Sequence, residues 1–335
     1  MKPFTNKALL AALLLASTLF NACKKSEPAP SPATNTTTQT YSSLYAFYLQ
    51  NQVPLQEYTI NASTGGSFTT SQGTVVNIPA NVFVNANNVL VTGNITIEFK
   101  DLYKKSDMLL TGIIPAAWNG AQPMNSGGEF LIYAKSGNNV VKLSGLSPIT
   151  VTQPLNGWPQ DKNMQPLVQA TMDSNGIFEG GTGNWATGDT SGSFPNTVTF
   201  DPLYYVFSLY QFAFPVDSGT WCNSDNPNYF NGYTQTNFTI QTTDTSNYTD
   251  VFLLFNGVNS MVHVYENYEP QGKFPYSYAP LGLNCTVVAV AVDSKGNLNS
   301  AFVPNTTITA NGTVNFTLTP TTAAAFKTQL ALYNH

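Results

Sequence analysis

The sequence contains no arginine and only two histidines, and charged residues make up just 9% of its 335 positions. Thirteen lysines against eighteen acidic residues leave a net charge of −5. Such a chain offers no clustered basic residues to the phosphates of nucleic acids, so we expect no nucleic-acid partner. The hydrophobic fraction of 42% is also too high for a disordered chain.

Residues for catalysis are scarce as well. One histidine, His263, lies in the apolar run Met261–Tyr265, and the other, His335, is the last residue. The sequence has no Gly-x-Ser-x-Gly elbow, no His-x-x-x-His and no Cys-x-x-Cys spacing. We therefore predict a protein without catalytic residues, metal or cofactor, in which His263 is hydrogen-bonded on a sheet face.

Two groups of oxygen-bearing side chains keep alternatives open. Four carboxylates could serve a glycosidase, but nothing in the sequence fixes their separation, and solvated strand ends or turn caps are the simpler roles. They are Glu98, Asp101, Asp107 and Glu129. The polar run from Asn223 to Asn228 could hold calcium, although it lacks EF-hand spacing and is predicted to be a turn.

The N-terminus carries the most specific signal. Lys2 and Lys7 precede a short apolar run that ends in Phe20-Asn21-Ala22-Cys23. This segment resembles the lipobox of bacterial lipoproteins, which implies a signal peptide over residues 1–22 and a lipid on Cys23. The following Lys24-Lys25-Ser26-Glu27 is similar to an export tag. The resemblance implies a lipid anchor in the bacterial outer membrane, facing the cell exterior.

Two further cysteines, Cys222 and Cys285, admit two interpretations. In an oxidising compartment they can form a disulfide, which would close a long loop and stabilise the fold by about 3–4 kcal/mol. Alternatively, Cys285 begins a core strand and each cysteine is a small buried hydrophobe. The sequence does not decide between them.

Alternating apolar and polar residues separated by Gly, Asn and Pro predict an all-β fold of two antiparallel β-sandwich domains. Short helices are predicted at residues 44–50, capped by Ser42 or Ser43 and docked on the first domain, and at residues 323–332, capped by Thr321 or Thr322. The predicted segments after the signal peptide are a lipidated cysteine, tether and helix over 23–56, a first sandwich over 57–155, a loop-rich connection over 156–200 and a second sandwich over 201–335.

The first predicted sandwich carries a family resemblance. Gly65-Gly66, the run Gly73–Phe83 and the segment Val91–Ile97 look like the core of a ZU5 β-domain. Glu98–Leu110 and Asn125–Phe130 are similar to a group of uncharacterised Bacteroidota lipoproteins. The resemblance implies an interaction module rather than a catalyst.

Four tryptophans fall in loop-like segments, and exposed indoles stack on sugar rings: Trp118, Trp158, Trp185 and Trp221. The alternative is that they fill the core, since indoles are usually well buried. We therefore expect a lipid-anchored binding protein whose partner is an unknown protein or glycan. A glycan-binding or glycan-processing lipoprotein is the second hypothesis.

Overall fold

The computed structural model describes residues 39–117, 122–169, 185–187, 197–209, 220–244, 248–266 and 271–335. The lipobox, the export tag and most of the tether therefore lie outside the described residues. Within them the fold is all-β, as the alternating pattern predicts, with three short helices. Residues Gln39–His335 form one compact unit.

The first sandwich consists of two sheets whose facing side chains interlock. Its strands and two flanking ribbons are β1 (Gln56–Asn61), β2 (Gly66–Thr69), β3 (Val75–Ile78), β4 (Phe83–Val84), β5 (Asn94–Leu102), β6 (Ala116–Ala117), β7 (Gln122–Pro123), β8 (Asn125–Ser136), β9 (Asn139–Val140), β10 (Lys142–Leu143), β11 (Ile149–Pro154), β12 (Gln165–Gln169), β13 (Trp185–Thr187), β14 (Thr197–Asp201), β15 (Tyr204–Leu209) and β16 (Thr220–Asn226). Sheet A has the order β1-β5-β8-β16-β12-β13, and sheet B has the order β14-β15-β11-β3-β2. Phe130 of sheet A packs edge-on against Phe207 of sheet B, with ring centroids 5.2 Å apart.

The second sandwich follows a 3-10 turn at Tyr229–Gly232. Its strands are β17 (Gln235–Gln241), β18 (Thr249–Phe255), β19 (Met261–Val264), β20 (Lys273–Pro280), β21 (Asn284–Val292), β22 (Leu298–Thr307), β23 (Gly312–Asn315) and β24 (Thr319–Pro320). Sheet C has the order β19-β18-β21-β22-β24 and sheet D the order β20-β17-β23. The near-continuous apolar run of β21 lies at the centre of sheet C and is buried, as its sequence predicts.

The predicted boundary between the two sandwiches is wrong. Residues 156–200, which were predicted to be a loop-rich connection, contain strands β12, β13 and β14. All three strands belong to the sheets of the first sandwich. Strands β15 and β16, assigned to the second sandwich, pair with β11 and β8 of the first. The first sandwich thus extends to Asn226, because strands late in the sequence return to sheets begun much earlier.

One strand pair departs from the predicted antiparallel arrangement. Strands β17 and β23 run parallel, with Phe238 opposite Gly312 and Gln241 opposite Asn315. The segment between β17 and β23 contains four of the five strands of sheet C before the chain returns in the same direction, so the pair needs no tight hairpin.

Helices α1 (Leu44–Asn51) and α3 (Ala323–Ala331) match their predicted positions, and each has a side-chain cap. Ser43 accepts the N–H of Ala46, and Thr322 accepts the N–H of Ala325. Helix α2 (Lys105–Thr111) was not predicted, because its seven residues follow a strand without a side-chain cap.

Helix α1 packs on α2, which lies within the predicted first domain, and also on the second sandwich, so the predicted partner supplies only part of its contacts. Phe47 is fully buried and packs edge-on against Phe326 of α3, with ring centroids 5.7 Å apart. The Tyr48 hydroxyl donates to Asp250 at 2.8 Å. The segment before the helix is held there too, since Tyr41 donates its N–H to the Gly296 carbonyl at 2.9 Å.

Candidate functional site

The four tryptophans proposed to stack on a ligand do not share one surface. Trp118 lies outside the described residues, and for Trp185 the structure describes only the backbone, in β13. Trp221 is completely buried, so it cannot contact a ligand. Trp158 alone of the described indoles lines an open cleft.

Burial of Trp221 follows from the alternation of strand β16. Trp221 faces the core that sheet A shares with the second sandwich, while the next residue, Cys222, faces the core between sheets A and B. Successive side chains of a strand point to opposite faces, and both faces of sheet A are covered here. The core interpretation of Trp221 is confirmed and its stacking role is wrong.

The Trp158 cleft has a volume of about 400 Å³ and is defined here by Ser126, Trp158, Gln160, Asp161, Tyr205 and Tyr229. Three of these six residues belong to the loop between β11 and β12. Ser126 and Tyr205 come from strands β8 and β15, and Tyr229 begins the 3-10 turn. The cleft therefore combines a loop with the rigid ends of two sheets. Pockets of this size are typical of small-molecule sites.

Asp161 is the charged centre of the cleft wall. Its Oδ2 accepts hydrogen bonds from Asn125 at 3.0 Å and Asn226 at 2.9 Å, and its Oδ1 accepts the N–H of Asn163 at 2.9 Å. Burial disfavours the charged form, but these donors outweigh burial and hold the pKa of Asp161 below its usual value. Asp161 is therefore an ionised, fixed acceptor at neutral pH.

Aromatic rings complete the cleft. The Tyr205 hydroxyl accepts the backbone N–H of Asp161 at 2.7 Å, which fixes the ring beside the carboxylate. Tyr229 is 39% exposed, and Trp158 is half-buried. The arrangement offers aromatic surface next to hydrogen-bonding groups, as sites for hydroxyl-rich ligands require.

The buried side chain of Lys105 contacts the indole ring of Trp158. Its ammonium lies 5.2 Å from the centroid of the indole and donates to the carbonyls of Phe255 at 2.7 Å and Val258 at 3.0 Å. Burial lowers the pKa of Lys105 to about 7. No carboxylate pairs with this buried lysine within the part of the chain that the structure describes, which is unusual. Its contacts link helix α2, sheet C and the cleft.

We expect Lys105 to make stability depend on pH. Below pH 7 the buried ammonium carries its full desolvation cost; above pH 7 the folded protein releases the proton while the unfolded chain keeps it to about pH 10.4. The free energy of unfolding of the wild type should therefore rise relative to Lys105→Met by on the order of 2–4 kcal/mol between pH 7 and 10. Urea denaturation at pH 6, 8 and 10 measures this difference. Lys327→Met, at an exposed lysine, is the control. A difference in the free energy of unfolding between the wild type and Lys105→Met that stays the same at all three pH values would contradict the prediction.

The cleft wall supplies only one carboxylate. Among the described residues that line it, Asp161 is the sole acid. Glycoside hydrolysis uses two carboxyl groups across the scissile bond. The described part of the cleft therefore lacks the pair of carboxyl groups that a glycosidase uses.

The four carboxylates considered for a glycosidase have different surroundings. Glu98 pairs with Lys135 at 2.6 Å, and Asp107 lies in the first turn of α2. Asp101 and Glu129 are completely buried, which corrects the expectation of solvated strand ends for these two. Asp101 is satisfied by the hydroxyls of Thr70 and Thr74 at 2.6 and 2.5 Å.

Glu129 does meet a second carboxylate, Asp225, which the sequence placed in a polar turn. Asp225 instead belongs to strand β16, and both carboxylates are completely buried. Burial raises the pKa of each well above its usual value, and the charge of Asp225 adds to the effect on Glu129. Asn223 donates from its side-chain amide to both acids.

His263 and Asp250 form another polar cluster, beside a separate cleft of about 450 Å³. His263 Nε2 lies 3.1 Å from Asp250 Oδ1, and the imidazole stacks on Phe252 with centroids 4.8 Å apart. The histidine is buried and hydrogen-bonded on its sheet face, which confirms its predicted structural role. The described residues that line this cleft include Thr249 but no serine or cysteine, so the nucleophile of a Ser-His-Asp triad is not found among them.

Cys222 and Cys285 are free, buried thiols in two different hydrophobic clusters. The disulfide interpretation is thus contradicted and the packing interpretation supported. Burial raises the pKa of the Cys285 thiol to about 12 and that of Cys222 well above its usual value, so neither is reactive in the folded protein.

We therefore expect thiol counting on a Cys23→Ala chain to find no reactive thiol in the native state and two after denaturation without reductant. Burial alone would make the two thiols react slowly with the reagent in the native protein and fully in denaturant. Absence of thiols in the denatured, unreduced protein would show that the two cysteines are bonded.

Comparison with known proteins returns no relative: no family model matches, and no curated protein or solved structure is significantly similar. Among the described residues, none of the helices has the length and apolarity needed to cross a membrane.

Proposed function

We propose that this chain is a lipid-anchored, non-enzymatic binding protein of the bacterial outer membrane, facing the cell exterior, that holds a polar ligand in the Trp158 cleft. The observation that carries the proposal is Asp161, an ionised carboxylate fixed by three donors beside the rings of Trp158 and Tyr205. A prearranged acceptor next to aromatic surface costs little to order when a ligand binds. The anchoring half of the proposal rests on the lipobox resemblance at Cys23.

A glycan is the ligand class that the cleft favours. Sugar rings present apolar faces that stack on aromatic side chains and hydroxyls that donate to carboxylates. The cleft offers both, and the Gln160 and Asn163 side chains add amides at its rim. A protein partner remains the second candidate, recognised through the same exposed aromatic residues.

Binding without turnover can be tested on the purified protein in detergent. We expect retention of one or more polysaccharides in a panel, with no reducing ends released and no hydrolysis of peptide or ester substrates after long incubation. If products are released and Asp161→Asn abolishes their release, the cleft is a catalytic site and not only a binding site. If a glycan is turned over and Glu129→Gln abolishes that turnover, the result would instead favour the glycan-processing hypothesis, with the reaction at the buried acids Glu129 and Asp225.

A further inference from the structure

The separate cleft beside His263 lies at one edge of sheet C, where strand β18 begins and the outermost strand, β19, ends. Phe252 pairs with His263, so Asp250, two residues before Phe252, lies on the same face of the sheet as His263. Tyr248 comes just before β18 and Tyr265 just after β19, which extends this wall on both sides. The His263 cleft is defined here by Tyr248, Asp250, His263, Tyr265, Glu266 and Gln271.

The His263 cleft carries negative charge, and no lysine occurs among the described residues that line it. Asp250 Oδ2 accepts the hydroxyl of Tyr48 at 2.8 Å, and its Oδ1 lies 3.1 Å from His263 Nε2. Glu266, at an exposed position, accepts the backbone N–H of Gly272. In the described ranges no lysine lies within ion-pair distance of either acid. Two carboxylates held by neutral donors and an imidazole therefore give this cleft a negative potential.

Two tyrosine rings lie beside these carboxylates. Tyr248 is 72% exposed, and Tyr265 is partly exposed. Burial and the charges of Asp250 and Glu266 raise the pKa of Tyr248, and burial and then Asp250 raise the pKa of Tyr265. The field of the carboxylates therefore reaches both phenols. The faces of such rings attract cations, and this attraction acts in the same direction as that of the carboxylates.

The imidazole of His263 adds an acceptor to the same wall. Its ring contacts Tyr265 edge-on, with centroids 4.4 Å apart. His263 is 7% exposed, and its Nδ1 has no hydrogen-bond partner among the described residues. When Nε2 carries the proton and donates it to Asp250, Nδ1 is an acceptor. Buried polar atoms are rarely left unpaired, so this nitrogen favours a ligand that brings a donor.

From these contacts we infer that the His263 cleft binds a primary ammonium group on an alkyl chain, as in a lysine side chain. An ammonium group has three donors and no acceptor, which suits the carboxylates of Asp250 and Glu266. Its charge is attracted to the exposed ring of Tyr248. An anionic ligand would be repelled by the same groups. The inference concerns a second site and does not depend on what the Trp158 cleft binds.

Titration of the purified full chain with Nα-acetyl-lysine amide tests the site by ligand-observed NMR. We expect saturable binding with a dissociation constant on the order of a millimolar, because a ligand of this size makes few contacts. The Nε-acetylated form of the probe keeps the chain and loses the charge, so it should bind at least about tenfold more weakly. Added NaCl should weaken binding of the charged probe.

Tyr248→Ala and Glu266→Gln should each weaken binding of the charged probe by about two- to fivefold, since one removes a ring and the other a charge at exposed positions. The matched controls are Tyr278→Ala and Glu57→Gln, which alter an exposed ring and an exposed acid that do not line the cleft, and they should bind the probe like the wild type. Retention of a neutral glycan at the Trp158 cleft should be unchanged in all four variants, so the two proposals fail independently.

Equal binding of the charged and the acetylated probe would overturn the inference. So would unchanged affinity in both cleft variants, or the absence of saturable binding up to about 50 mM of the charged probe.

Discussion

Replacing Cys23 by alanine is expected to release the protein from the membrane completely. The lipobox resemblance predicts that its thiol carries the lipid, and acyl chains contribute about 0.8 kcal/mol per buried methylene. On this prediction, two or three such chains hold the protein at the membrane, and the variant lacks them. Metabolic labelling with a palmitate analogue and fractionation of membranes measure the change.

Cys285→Ala is the matched control for this experiment. Cys285 is buried in the second sandwich, so its replacement should leave labelling and fractionation unchanged. Continued labelling of the Cys23→Ala chain would contradict the assignment of the lipid. It would also remove the support for an outer-membrane location.

Replacing Gly128 by alanine is expected to destabilise the fold strongly. Gly128 has a φ of +119°, and an added Cβ would lie 2.3 Å from a ring carbon of the buried Tyr103. The ring cannot turn away freely, because its hydroxyl is hydrogen-bonded to Thr74. Backbone strain and overpacking together predict a loss of about 2–6 kcal/mol in the free energy of unfolding.

Gly137→Ala separates these two effects. Gly137 also has a positive φ, of +60°, but nothing lies within 4 Å of its added Cβ. The control should therefore lose only about 1 kcal/mol from backbone strain. Urea denaturation of both variants gives the comparison, and equal losses would show that the close approach to Tyr103 does not constrain the sheet.

The local pattern was sufficient to predict most strands, the caps of α1 and α3, and the central position of β21. It was not sufficient to assign strands to sheets. Tyr204–Leu209 alternates like any half-buried strand, and nothing in those six residues indicates that they pair with Ile149–Pro154 rather than with the strands that follow. Pairing depends on contacts distant in sequence, which is why the predicted boundary between the sandwiches was wrong.

The candidate site was less predictable for the same reason. Asp161 owes its fixed charge to Asn125 and Asn226, which come from two strands far away in the sequence. The loop sequence Trp158-Pro159-Gln160-Asp161 places an indole just before an amide and an acid, which is a pattern that could have indicated a polar binding site. The prediction from the sequence used only the tryptophan. Trp158 and Trp221 look alike in the sequence, and only the covering of both faces of sheet A distinguishes them.

The most direct test of the account is the affinity of the Trp158→Ala variant for a retained glycan. Calorimetric titration should show a loss of at least about tenfold, because stacking on an aromatic ring contributes on the order of 1.4 kcal/mol or more. Tyr248→Ala, which removes a ring 72% exposed at the other cleft, should bind like the wild type. Unchanged affinity in Trp158→Ala, or the same loss in Tyr248→Ala, would contradict the claim that the Trp158 cleft is the binding site.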